Sequence, residues 1–215
     1  MEPLKNAFKQ SARYWVIISI ILLAALVYLI TQPKADGFLW LTPFHAVPFD
    51  YFFAAYTYVG DGIFILSVVV ILFFLKHRKL AVAALISYCL SGIIAQILKN
   101  IFPMPRPFNY FKSLNRSVYT IEHVTLTASN ASFPSGHTTS AFALLTVLIL
   151  VLPKNKWNFL FLFLALMVGY SRMYLSNHFL FDVFGGSIIG ITSGIITHGL
   201  TKKIVNAKPK WFLPQ

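Results

Sequence analysis

Long uninterrupted apolar runs recur along this chain, and they leave it few ways to fold. Each run is about 17–23 residues, close to what a helix needs to cross the hydrocarbon core of a bilayer. Spans are predicted over 14–30, 58–75, 80–98, 136–152, 157–172 and 178–200. The expectation is an all-α integral membrane protein, six transmembrane helices in one bundle. Hydrophobic residues make up 57% of the 215-residue chain and charged residues 11%. A soluble domain carries about a quarter charged residues, so a single transmembrane domain over 1–215 is expected, with no second soluble one. The first run is not followed by a small-residue cleavage site, which predicts a retained helix and not a removed signal peptide. Cys89 is the only cysteine. It stands inside an apolar run and reads as packing, with no intrachain disulfide.

The formal net charge of +12 suggests nucleic acid only until its distribution is read. The basic residues sit at the ends of the apolar runs, which is a topology signal. With six spans, the termini and the two tight turns 76–79 and 153–156 share one side and hold twelve of the eighteen Lys and Arg residues. The other side holds Lys34, Lys99, Arg106, Lys112, Arg116 and Arg172. The positive-inside rule then puts both termini in the cytoplasm. No nucleic-acid partner is expected, and no obligate protein partner is evident. The aromatic, proline-containing segment 34–58 suits short helices lying along the membrane surface.

Between the last two runs lies Ser171-Arg172-Met173-Tyr174-Leu175-Ser176-Asn177-His178-Phe179-Leu180-Phe181-Asp182. Ionisable residues at membrane depth are costly and mark function by default. His178 and Asp182 are four apart, neighbours on one face if helical. A carboxylate beside an imidazole fixes which ring nitrogen carries the proton. The same pair read blandly is polar glue between two spans, worth about 1 kcal/mol. Six-span parity puts two more clusters on this side: Lys99 with Arg106-Pro107, and Phe133-Pro134-Ser135-Gly136-His137.

Lys-x6-Arg-Pro, Pro-Ser-Gly-His and Ser-Arg-x5-His-x3-Asp, in that order over 99–182, resemble the three signatures of the type-2 phosphatidic acid phosphatase family. That is the lipid phosphate phosphatase and haloperoxidase superfamily, here its bacterial membrane branch. The resemblance implies His178 as a nucleophile forming a phosphohistidine, with Asp182 orienting it. It implies His137 as the acid that protonates the leaving oxygen and then the base that activates water. Lys99, Arg106, Ser135, the Gly136 N–H and Arg172 are implied to bind phosphate oxygens; Ser171 belongs to the motif without a clear role. The residue types suit that chemistry. Phosphoryl transfer needs positioning and charge stabilisation, guanidinium forks and an ammonium supply it, and a helix N-terminus after Pro134 binds anions.

The expected function is a metal-independent phosphatase, without cofactor, acting on a lipid head group at the extracytoplasmic face of the inner (cytoplasmic) membrane. Undecaprenyl diphosphate, phosphatidylglycerol phosphate, phosphatidate and lipid A are the candidates the resemblance implies. The alternatives are a lipid phosphotransferase sharing the phosphohistidine, and a non-catalytic binder or transporter, which has no use for His137 or the His178–Asp182 pair. No Cys/His pair has zinc-site spacing. Asp61, between two glycines, reads first as a helix cap and second as partner to a motif cation. His123 with Glu122 reads as loop surface, His77 as solvated and His198 as packing. Asn115-Arg116-Ser117 and Asn130-Ala131-Ser132 have glycosylation-acceptor form.

Overall fold

The computed structural model describes residues 2–121, 130–152 and 157–206. His123 and Glu122, and the basic turn 153–156 used in the charge count, lie outside the described residues. In chain order the helices are α1 (Glu2–Gln10), α2 (Ala12–Thr31), α3 (Lys34–Leu41), α4 (Val47–Tyr56), α5 (Gly62–Phe74), α6 (Arg78–Ile101), α7 (Pro107–Ser113), α8 (Gly136–Val151), α9 (Asn158–Tyr174) and α10 (Leu180–Asn206). A 3₁₀ turn, Thr57–Gly60, joins α4 to α5.

By length and composition, α2, α6 and the Leu180–Thr201 part of α10 are long and apolar enough to cross a membrane. The other expected spans are less regular. The run at 58–75 is helical only from Gly62, because Gly60 ends the 3₁₀ turn and Asp61 caps α5 by accepting from the Ile63 N–H at 2.8 Å. With α4 it forms a pair bent by 55°. Helices α8 and α9 are apolar but only 16 and 17 residues long. The last run also starts later than expected: His178 stands in a turn before α10.

Helix α8 is the axis of the bundle. Eleven of its residues are buried, and α5, α6, α9 and α10 all pack on it. Most of α2 instead faces outward, with Tyr14 and Ile18 its buried residues. That pattern is costly in water and natural in lipid. Small residues let the central helices approach. On α10, Gly186, Gly190 and Gly194 recur every four residues against α8. A Cβ at Gly190 would stand 2.5 Å from the Thr139 carbonyl oxygen, and one at Gly194 2.6 Å from Thr146 Cβ. This is the small-xxx-small seam by which membrane helices gain van der Waals contact. On α6 the buried face is Ala84, Ser87, Ser91 and Ala95, and Ser87 Oγ donates to the Ala143 carbonyl at 3.3 Å.

Short helices α3 and α4 occupy the aromatic segment 34–58. Trp40, Phe49, Tyr51 and Phe52 are exposed, while Phe38 and Phe53 pack inward on the clusters around Phe179 and Tyr174.

Candidate active site

The turn between α9 and α10 delivers His178. The backbone N–H groups of Asn177 and His178 both donate to the Arg172 carbonyl, at 3.0 and 3.1 Å, and Ser176 takes a left-handed φ of 53°. His178 is buried, 2% exposed. Its Nδ1 lies 3.4 Å from Asp182 Oδ2. The same oxygen accepts from Ser132 Oγ at 2.5 Å and from the Phe179 N–H at 2.9 Å. The Phe179 bond is the return half of a capping box, since Asp182 sits in the first turn of α10. The spacing of His178 and Asp182 suggested two neighbours along one helix; the pair forms instead between a turn and the helix it precedes. With Nδ1 directed at a carboxylate, Nε2 is left to act on another group.

Backbone bonds stitch the three sequence clusters together. The Ser135 N–H donates to the Asp182 carbonyl at 3.0 Å, and the Ser132 N–H to the Met104 carbonyl at 3.0 Å. Met104 and Ala131 form a parallel bridge. Ser135 caps α8: its Oγ accepts from the Thr138 N–H at 3.4 Å and the Thr138 hydroxyl at 2.9 Å. Gly136 and His137 open that helix, so their N–H groups face the motif cluster, where a helix N-terminus attracts anions. His137 Nε2 lies 3.7 Å from Asp61 Oδ2. Asp61 thus caps α5 with one oxygen, as expected first, while its other oxygen stands beside a motif histidine and not in ion-pair contact with one of the motif cations. Gly60 makes this junction possible, because a Cβ there would meet the His137 carbonyl at 2.7 Å and Val168 Cγ1 at 2.5 Å.

Two guanidinium groups are buried beside the histidines. Arg106 and Arg172 are each 8% exposed. Arg106 Nη1 donates to the Asn177 carbonyl at 3.3 Å and to its side-chain oxygen at 3.4 Å. Arg172 Nη1 donates to Thr57 Oγ1 at 2.8 Å. The Nε atom of each is buried without a hydrogen-bond partner. Among the described residues, neither arginine pairs with a carboxylate. Burial pulls the Arg106 guanidinium below its ordinary value, and the Asp182 charge works against that. Lys99, in the last turn of α6, brings Nζ to 3.8 Å from where a Gly136 Cβ would be. His137 lies within the electrostatic reach of His178, Arg172, Lys99 and Arg106. All eight residues expected at the site, Lys99, Arg106, Ser135, Gly136, His137, Arg172, His178 and Asp182, are therefore brought together. Ser171 is not part of the cluster's bonding, since its Oγ donates to the Val168 carbonyl at 2.7 Å.

Three residues of the site were not visible in the sequence. Ser132 holds Asp182, Asn177 holds Arg106 and Thr57 holds Arg172. Ser132 stood out only as the end of a glycosylation-like triplet, yet it is fully buried. Asn177 lay inside the third motif at a position the motif leaves open. Thr57 had no signal. Among the described residues, no three His, Cys, Asp or Glu side chains converge to hold a metal ion.

Comparison with known proteins points the same way. The family model described as the PAP2 superfamily matches residues 80–205, more than half of the chain. Over 133 residues the chain is 28% identical to an undecaprenyl-diphosphatase of Sulfolobus acidocaldarius, covering 62% of this chain and 61% of that protein. Over 184 residues it is 29% identical to a lipid A 4'-phosphatase of Bacteroides thetaiotaomicron, covering 80% of each. The chain thus spans about three fifths of the length of the first relative and four fifths of the second. The crystal structure of Aquifex aeolicus LpxE superposes with a TM-score of 0.62 at 28% identity, over 76% of this chain and 93% of that one.

Proposed function

Because this membrane protein belongs to the PAP2 superfamily, we propose that it is a metal-independent lipid phosphate phosphatase that works through a phosphohistidine on His178. The observation that supports this most is the pair of buried guanidinium groups. An uncompensated buried charge costs several kcal/mol, and a buried N–H without an acceptor calls for a missing partner. Arg106 and Arg172 together leave two such N–H groups beside His178. A tetrahedral oxyanion meets that need, and arginine forks are shaped for it.

In this reading the phosphoryl group lies between the two imidazoles. Arg106, Arg172, Lys99, Ser135 and the Gly136 N–H hold its non-bridging oxygens. His178 Nε2 attacks phosphorus; the N–P bond forms as the bond to the leaving oxygen breaks, and His137 gives that oxygen a proton. Asp182, kept in place by Ser132, receives the Nδ1–H and steadies the ring as it becomes positive. Water then attacks the phosphohistidine. His137 takes the water's proton, the N–P bond breaks and phosphate leaves. The charge stabilisation that a metal gives in other phosphatases comes here from three side-chain cations.

The substrate is a phosphate or diphosphate on a membrane lipid. Undecaprenyl diphosphate and lipid A are the first candidates, since they are what the two relatives above are named for. The reading also takes the chain to cross the inner membrane six times with cytoplasmic termini, which the charge distribution supports, and on that topology the site would face the extracytoplasmic side.

The deciding experiment uses purified protein with labelled lipid phosphates in the presence of a chelator. Phosphate release is expected, and acid quenching during turnover traps label on histidine. His178→Ala loses both while still binding lipid. A strict metal requirement, or label on serine, overturns the mechanism. The same panel of lipids, assayed side by side, ranks the substrates.

A further inference from the structure

Two apolar clefts run down the bundle from the region of the site, and they lie beside different histidines. The first, of ≈350 Å³, is bounded by the end of α2, by α3 and by the start of α10; Leu29, Phe38, Phe179 and Leu180 line it, and Lys34 stands at its rim. It is on the His178 side, because Phe179 follows the nucleophile directly. The second, of ≈310 Å³, lies between α5 and α9 with α8 as its floor; Val59, Val68, Ala141, Leu145, Leu164 and Val168 are among its walls. Helices α5 and α9 both pack on α8 but make little contact with one another. The second cleft begins beneath His137. Ala141 is one turn below it on α8, and Val168 meets it across Gly60.

In-line displacement at phosphorus decides between them. Nucleophile and leaving oxygen lie on opposite sides of the transferred group. With His178 as nucleophile, the leaving oxygen is on the His137 side, and so is everything attached to it. This holds for a monophosphate, where that oxygen carries the lipid directly. It holds equally for a diphosphate, where the inner phosphate intervenes.

Resting on the phosphatase reading above, we infer that the cleft between α5 and α9 binds the hydrocarbon chain of the substrate, and that the cleft beside Phe179 does not. Every side chain lining the α5–α9 cleft is apolar, which suits hydrocarbon and offers a head group nothing. From Ala141 to Leu148 it extends about 10 Å along α8 at helical rise. Ala141 and Ala165 keep it open; larger side chains there would fill it. These wall residues set which chains are accepted, while the cations above them are indifferent to the chain.

The test fills each cleft in turn. Ala165→Phe blocks the inner part of the α5–α9 cleft, and Val68→Trp, at a half-buried wall position, obstructs it with less risk to folding. Leu29→Trp fills the other cleft. Purified proteins are assayed on phosphatidates with long and with four-carbon acyl chains. Ala165→Phe and Val68→Trp should each raise KM for the long-chain substrate by about tenfold or more, leaving kcat/KM for the short one within about twofold. Leu29→Trp should leave both unchanged. A chain-length penalty in Leu29→Trp, or a wild-type chain-length profile in both α5–α9 variants, overturns the assignment. Wild-type protein inactive on every lipid phosphate would remove the phosphatase reading itself, a result distinct from either.

Discussion

Replacing Ser132 by alanine deletes one oxygen that touches no phosphate ligand. That oxygen donates to Asp182 Oδ2 at 2.5 Å and lies 3.5 Å from His178 Nδ1. A hydrogen bond to a charged acceptor contributes about 1.5–3 kcal/mol. Asp182 keeps two other contacts to the same oxygen, the Phe179 N–H at 2.9 Å and His178 itself, so the carboxylate stays anchored but free to swing. If the whole loss appears in the transition state, kcat falls by about ten- to a hundredfold, at about 1.4 kcal/mol per tenfold. KM should hold, because Lys99, Arg106 and Arg172 are untouched. The assay is steady-state phosphate release by wild type, Ser132→Ala, Asp182→Asn and the double variant. If Ser132 acts through Asp182, its removal from the Asp182→Asn background costs far less than from wild type, a coupling the cycle measures directly. Ser132→Ala with wild-type kcat and only a lowered melting temperature would refute the argument. So would equal losses in both backgrounds.

Asp61→Asn keeps an N-cap acceptor for α5 but removes the charge beside His137. Thermal stability in detergent should therefore be unchanged while kcat falls about tenfold or more, within the range expected of a disturbed acid–base residue; unchanged kcat would make Asp61 a cap alone. Gly190→Ala forces a methyl against the Thr139 carbonyl, where 2.5 Å is available; the α8–α10 seam should loosen by about 1–3 kcal/mol, read as a lower melting temperature, and an unshifted one would mean the helices part without cost. For topology, in a Cys89→Ala background on intact cells, a membrane-impermeant thiol reagent should label Leu114→Cys and spare His77→Cys; the reverse pattern would invert the orientation.

The sequence displayed what depends on side-chain type at fixed spacing. The apolar runs announced membrane helices, and the paired ionisable residues at their ends announced a site, because neither belongs at such positions without cause. It hid what depends on where the backbone turns. The helix of the second run begins only at Gly62, after a 3₁₀ turn, because Gly60 must pass against His137 and Val168; hydropathy, which weighs side chains, reads straight across that break. The Gly186–Gly190–Gly194 repeat was present in the sequence, but its meaning required knowing that α8 lies opposite.

The convergence of the three motifs is the extreme case. Ser135 N–H to Asp182 carbonyl and Ser132 N–H to Met104 carbonyl join segments dozens of residues apart, using groups that almost every residue possesses. Such bonds leave no trace in residue identity. What residue identity does record is their consequence. Once those segments meet, Arg106 and Arg172 lie buried in one cluster with no carboxylate in ion-pair contact among the described residues; a buried charge without a close partner is costly, and the phosphate proposed above would offset that cost.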